Sequence, residues 1–192
     1  MDSHDSEHLW RQFLAHKEDL SPSFRLEIPS GDDRERSVCT RCSFIDYRNP
    51  RIVVGSVATD DSGRILLCQR AIEPRKSWWT LPAGYLETNE SAEAGARREA
   101  REEAGAKLEI DRLLAVYSLP RISQVQLMYR ARLTNPDTIA AGPESEDLML
   151  VSFEDIPWPD LAFPSVSWAL RDWRAVEGQA DFAVRSNPAD GL

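Results

Sequence analysis

"GYLETNESAEAGARREAREEAG", residues 84–105, sets a physical problem. It carries Glu87, Glu90, Glu93, Glu99, Glu102 and Glu103 in a stretch that reads mostly as one helix. Ser91 is a good N-cap and Gly105 a good left-handed stop, so the helix is expected over Ser91 to Ala104. On a wheel of about 100° per residue with Ala96 at zero, Ala100 falls at about 40° and Ala92 at about −40°. Glu103 falls at about −20°, Glu99 at about −60° and Glu102 at about −120°. The alanines form a narrow stripe suited to close packing, and Glu99 and Glu103 lie on or beside it. Two glutamates one turn apart repel, and moving them toward a core adds a desolvation cost. A divalent cation removes both penalties. Oxygen-only donors select Mg²⁺ or Mn²⁺ over Zn²⁺. A solvated helix laced with Arg–Glu pairs explains Arg97, Arg101 and Glu93 well, but not Glu99 and Glu103.

Outward from this helix the pattern alternates between strands and helices. "RIVVGSVATD", a "DDSG" turn and "RILLCQRA" predict a hairpin starting at Arg51. "EPRKSWWTLPAGYLE" reads as a loop. "KLEIDRLLAVYSL", "ISQVQLMYRARLT" and "LMLVSF" read as further strands, with the acidic loop "NPDTIAAGPESED" before the last. Ser165 to Val176 is amphipathic and predicts a second helix. Strands flanked by helices imply an α/β fold, a mixed sheet covered by helices. Residues 1–50 read as an appendage: a helix over about 1–20, then an irregular segment carrying Cys39-Thr-Arg-Cys42. Residues 51–177 form the main domain and 178–192 a tail.

Composition sets the outer limits. The chain has 192 residues, 42% hydrophobic and 29% charged, with a net charge of −9. That charge argues against a nucleic-acid partner, which needs Lys and Arg to displace counterions. It also means that a phosphate ester would need local positive charge, which a metal supplies. The apolar runs are too short to cross a membrane. "MDSHDSEHLW" lacks the features of a secretory signal, so a cytoplasmic location is expected. Three cysteines do not make a disulfide scaffold.

Read in order, the opening stretch gives Gly84, Glu90, Arg98-Glu99, Glu102-Glu103 and Gly105. This spacing resembles the Nudix box, with every charged and glycine position filled. Ala100 and Ala106 stand where the family more often has a larger aliphatic residue. "IPSGDDRERSVCTRC", "YRNPRIVVG", "RAIEPR", "GPES" and "DIPWPDLAF" extend the resemblance to a subgroup with an N-terminal zinc-ribbon-like segment that cleaves ADP-ribose or FAD. The resemblance implies an α/β/α sandwich. It also implies Mg²⁺- or Mn²⁺-dependent hydrolysis of a nucleoside diphosphate linked to another moiety, releasing AMP, and it allows a homodimer.

On that resemblance Glu99 and Glu103 are the main metal ligands, assisted by Glu102 and by a backbone carbonyl near Ala83 or Gly84. Glu90 orients Arg98 or a metal-bound water. Glu144, in "GPES", is the chosen general base; a solvated acidic loop explains it equally well. Arg51, Arg70 and Arg75 are candidate phosphate contacts, with a surface role as the alternative. Trp78 and Tyr85 are candidates to stack on a base or flavin. Pro120 lies where related hydrolases often carry a proline. NADH and nucleoside triphosphates are alternative substrates, and a non-catalytic nucleotide sensor is the alternative of another class.

Cys39 and Cys42 have metal-ligand spacing, but a structural zinc site wants four ligands. No cysteine precedes Cys39. His4, His8 and His16 are the remaining candidates upstream, and the expectation is that no zinc binds.

Overall fold

The computed structural model describes residues 23–189 and divides into two compact units between Asn49 and Pro50. The expected helix over residues 1–20 and the three histidines fall outside the described residues. Among the described residues no helix is long and apolar enough to cross a membrane.

The first unit is more regular than its sequence suggested. Its described part forms three antiparallel strands, β1 (Phe24–Glu27), β2 (Arg36–Cys39) and β3 (Ile45–Asp46), in the order β1-β2-β3. Backbone pairing overrides the Pro, Gly and charge content that made the segment read as irregular. Cys39 is buried at the end of β2 and Cys42 is exposed in the turn that follows. The Cys42 and Arg41 backbone N–H groups draw the Cys39 thiol below its ordinary range.

The second unit is built on β4 (Arg51–Thr59), β5 (Ile65–Arg70), β6 (Trp79–Thr80), β7 (Ala83–Tyr85), β8 (Leu108–Leu119), β9 (Gln124–Leu133), β10 (Ser145–Val151) and β11 (Arg185–Ser186). The sheet runs β10-β5-β4-β9-β8-β11 and is mixed: β4 and β9 are parallel, as are β8 and β11. Two helices, α1 (Ala92–Ala104) and α2 (Pro164–Ala175), complete it. The expected β4–β5 hairpin exists, but its strands pair only at Thr59 and Ile65. Beyond that point they part, and the segment read as a loop supplies a short partner to each: β6 pairs with β5 and β7 with β4. The expected tail is also partly a strand, because β11 pairs with Ala115 and Val116 of β8. The Asn187 side chain extends the pairing, accepting from the Ser118 N–H and donating to its carbonyl, both at 2.8 Å.

Alternation along the strands divides the core. Val57, Ile65 and Leu67 face a cluster with Leu170 and Trp173 of α2. Ala58, Leu66 and Cys68 face another with Ala100 and Ala104 of α1. The helices therefore cover opposite faces, which makes an α/β/α sandwich. α1 packs through Ala96, Ala100 and Ala104, all fully buried, so its backbone lies close to the sheet.

Candidate active site

Helix α1 begins as its sequence dictates. Ser91 accepts the Ala94 N–H at 3.2 Å, and Gly105 closes the helix at φ 60° while its N–H donates to the Arg101 carbonyl. With both ends fixed, the alanine stripe determines where each glutamate points. Glu103 is 7% exposed, and the Glu99 side chain keeps 13% of its surface against 54% for Glu102.

Arg98 organises the polar side of the helix. Its Nη1 donates to Glu99 at 2.7 Å and to Glu102 at 2.9 Å. Its Nε and Nη2 grip the Glu90 carboxylate at 3.1 and 2.7 Å, and Nη2 also reaches the Tyr85 carbonyl at 3.0 Å. Glu90 further accepts the Glu87 N–H at 2.8 Å. Bound by Arg98 first and that N–H second, Glu90 is held down at a pKa of about 2. The carboxylates around it raise the Arg98 guanidinium.

Glu103 is differently placed. Burial pushes its carboxyl up to about 8, the Ala83 N–H opposes this at 3.1 Å, and the charges of Glu99 and Glu144 add to the rise. Glu99 is also raised, first by burial, against the pull of Arg98. Gly84 sits against this group, since a Cβ there would lie 2.4 Å from the Glu99 carboxylate.

Glu144 arrives from another part of the chain, on a segment fastened to the end of α1. The Ala140 N–H donates to the Ala104 carbonyl at 3.0 Å, and the Gly142 N–H to the Glu103 carbonyl at 2.9 Å. Gly142 lies so near the helix that a Cβ would come within 1.7 Å of the Glu102 carbonyl oxygen, so only glycine fits.

These groups share one cavity of about 990 Å³. Ala83, Gly84, Tyr85, Arg98, Glu99, Glu102, Glu103, Glu144 and Arg70 all line it, as does Pro120. Glu90 stands behind Arg98. Arg51 lies outside the lining with its guanidinium 5.1 Å over the Tyr85 ring. Two more expected substrate contacts are also outside the lining: Arg75 lies 4.6 Å over the ring of Trp78, and the two pack on each other. Arg75 and Ser77 adopt positive φ, 66° and 65°, a local turn that chain order does not reveal. Sequence reasoning missed the opposite wall, made by Gln124 and Gln126 of β9 and by Phe163, Ser165 and Trp168 at the start of α2. The amphipathic reading of residues 165–176 located that helix but carried no signal that its start, or the two glutamines, would line a cavity.

The donors suit a hard divalent cation: they are carboxylate oxygens, two are withdrawn from water, and their charges raise one another. They form a donor set rather than a closed cage. Among the described residues no three His, Cys, Asp or Glu side chains converge at coordinating distance. Arg98 and the Ala83 N–H hold the glutamates apart, as mutual repulsion favours.

Comparison with known proteins agrees with this architecture. The NUDIX domain family model matches residues 49–171, and the Nudix N-terminal model, a zinc-ribbon family, matches residues 21–48. The chain superimposes on the crystal structure of a NUDIX hydrolase from Nitrosomonas europaea with a TM-score of 0.80 and 40% identity. That alignment covers 88% of this chain and 96% of the other. A "MutT-like protein" of Streptomyces ambofaciens is 36% identical over 42% of this chain and 51% of its own length. An "ADP-ribose pyrophosphatase" of Methanocaldococcus jannaschii is 36% identical over 38% of this chain and 43% of its own. The chain thus spans about half the length of these curated relatives. It belongs to the Nudix family, whose hydrolases generally use divalent metals.

Proposed function

We infer that the protein is a Mg²⁺- or Mn²⁺-dependent pyrophosphohydrolase that cleaves the diphosphate of ADP-ribose or FAD and releases AMP. One observation carries the reading: Glu99, Glu102, Glu103 and Glu144 line a single cavity of nucleotide dimensions, two of them largely withdrawn from water. One guanidinium, that of Arg98, serves Glu99 and Glu102, and Glu103 has only the Ala83 N–H, so the cluster carries more negative charge than its partners neutralise. The resemblance of the ADP-ribose pyrophosphatase above supports the choice of substrate, while the MutT-like relative keeps nucleoside triphosphates as the comparison to beat.

Glu99 and Glu103 would hold the cation, with Glu102 at the exposed margin. The bound cation supplies charge neutralisation and a more acidic water. Arg98 fixes the rotamers of Glu99 and Glu102, and Glu90 fixes Arg98. Glu144 takes the proton from the attacking water as general base. Burial of the Glu103 side of the cavity limits competing solvent, which strengthens each charge interaction made there.

The test is turnover of ADP-ribose, FAD, NADH and a nucleoside triphosphate in parallel with Mg²⁺, followed by chromatography. AMP should form from ADP-ribose or FAD. Glu103→Gln should lower the rate by at least about 10²-fold, consistent with losing several kcal/mol of charge stabilisation. Glu144→Gln should cost about 10²- to 10⁴-fold if the carboxylate moves the proton. Faster turnover of the triphosphate, or full activity in Glu103→Gln, would overturn the reading.

A further inference from the structure

The cavity has a second wall that the carboxylates do not use. Helix α2 starts there, with Pro164, Ser165 and Val166 all lining the space. No side chain caps this end: Phe163 at the cap position makes no side-chain cap bond and Pro164 brings no N–H. The helix is 12 residues long, so its N-terminus carries a partial positive charge. Ser165 is 7% exposed, and its hydroxyl has no hydrogen-bond partner among the described residues. Ser165 lines the cavity and its hydroxyl is not among the fully enclosed unpartnered atoms, so it opens onto that space and is free to serve a ligand there.

Arg70 supplies a full positive charge beside this helix end. Its guanidinium lies 5.2 Å over the ring of Phe163. Its Nε donates to the Pro74 carbonyl at 2.9 Å, and its two terminal nitrogens have no acceptor among the described residues. The Phe163 ring is thereby occupied by the guanidinium, which argues against a base stacking on that face. What remains is a donor set on one wall of the cavity, one guanidinium edge, one hydroxyl and a helix N-terminus, apart from Arg98, which the carboxylates occupy, and Arg121.

We propose that Arg70, Ser165 and the N-terminus of α2 form a phosphate subsite that holds the phosphoryl group of the substrate farther from the carboxylate cluster. This rests on the diphosphate-substrate reading above. The division of labour is simple: one wall receives the phosphoryl group that is attacked, and the other fixes its neighbour. Helix N-termini and guanidinium groups both favour tetrahedral oxyanions. Ser165 adds a directional donor that a point charge lacks.

The test is calorimetric titration of the whole chain in EDTA with inorganic phosphate, AMP and ribose 5-phosphate, so that binding is read without turnover. Wild type should bind inorganic phosphate and at least one monoester. Ser165→Ala should weaken both about three- to tenfold, as expected for one hydrogen bond. In the Mg²⁺ assay the same variant should raise KM by a similar factor with kcat within about twofold, because binding and not chemistry has changed. Unchanged binding in Ser165→Ala, or no binding by wild type, overturns the subsite. Weaker phosphate binding with an unchanged KM overturns its assignment to the substrate. Loss of turnover in Glu103→Gln reports on the carboxylates alone, so the two readings fail separately. Ser165→Thr keeps the hydroxyl and should restore phosphate binding.

Discussion

The two helices cover the same sheet in opposite ways. α1 meets it through alanines, and α2 through Val166, Leu170 and Trp173. Small residues contribute little apolar area, so α1 adds less burial per residue than α2. What the alanines give instead is proximity. A helix pressed close to a sheet carries the first carbons of its glutamates below the surface, and their carboxylates end in the cavity. A helix standing off on leucines and tryptophans stabilises the fold but opens space at its start, where the cavity continues. On the function proposed above, the metal-binding carboxylates lie on the α1 face, while α2 supplies more of the apolar burial.

The sharpest way to break this comparison is to damage the stabilising face alone. Leu170→Ala should cost about 2–5 kcal/mol in denaturant unfolding, while kcat of the folded fraction stays near wild type. A similar loss of kcat would mean that the faces are not separable. On the other face, stability should depend on pH in the metal-free protein. The Glu103 carboxyl sits at about 8 when folded and at the ordinary 4.5 when unfolded. The folded state therefore binds more protons across that window. Its contribution is complete below about pH 4.5 and is lost as pH rises through about 8, up to a few kcal/mol. Glu99 is raised too and acts in the same direction. Melting in EDTA should fall between pH 5 and 8, and Glu103→Gln should flatten that fall.

Gly84→Ala sharpens the comparison from the side of function. The new methyl group meets the end of the Glu99 side chain and not backbone. The carboxylate should move, turnover should drop about 10²-fold, and unfolding free energy should change by less than about 1 kcal/mol. The smallest effect belongs to the helix start: Ser91→Ala should cost about 1 kcal/mol of stability. Its effect on kcat should be slight if Glu99 and Glu103, about two and three turns on, are held by the alanine stripe.

What could be read in advance follows the range of the interactions. Helix α1, its cap, its stop and the depth order Glu103, Glu99, Glu102 come from local periodicity, and the structure places them so. The β4–β5 hairpin and the strands β8 and β9 are equally local, whereas β10 starts at Ser145, inside the segment read as an acidic loop. The short strands β6 and β7 were not legible, because two or three residues carry no period. Strand β11 depends on pairing with β8, some 70 residues earlier in the chain. The same holds for the cavity wall at Phe163 and Ser165. Arg75 and Trp78 look like substrate contacts by nearness to the glutamate helix, yet a turn pairs them with each other. Chain proximity is a weak guide to where a side chain ends, whereas a helical stripe is a strong one.

The bonds from Ala140 and Gly142 to the last carbonyls of α1 have a consequence for how this site comes apart. Those carbonyls are the ones that solvent ordinarily serves when a helix frays. Here the segment leading to Glu144 serves them, so the helix end and that segment share one opening event. Amide exchange should then show Ala140 and Gly142 losing protection together with the final turn of α1, and earlier than the β4–β9 pairing. Glu102, Glu103 and Glu144 would leave and return together during local breathing. Forms with the end of α1 in place and Glu144 displaced would be rare.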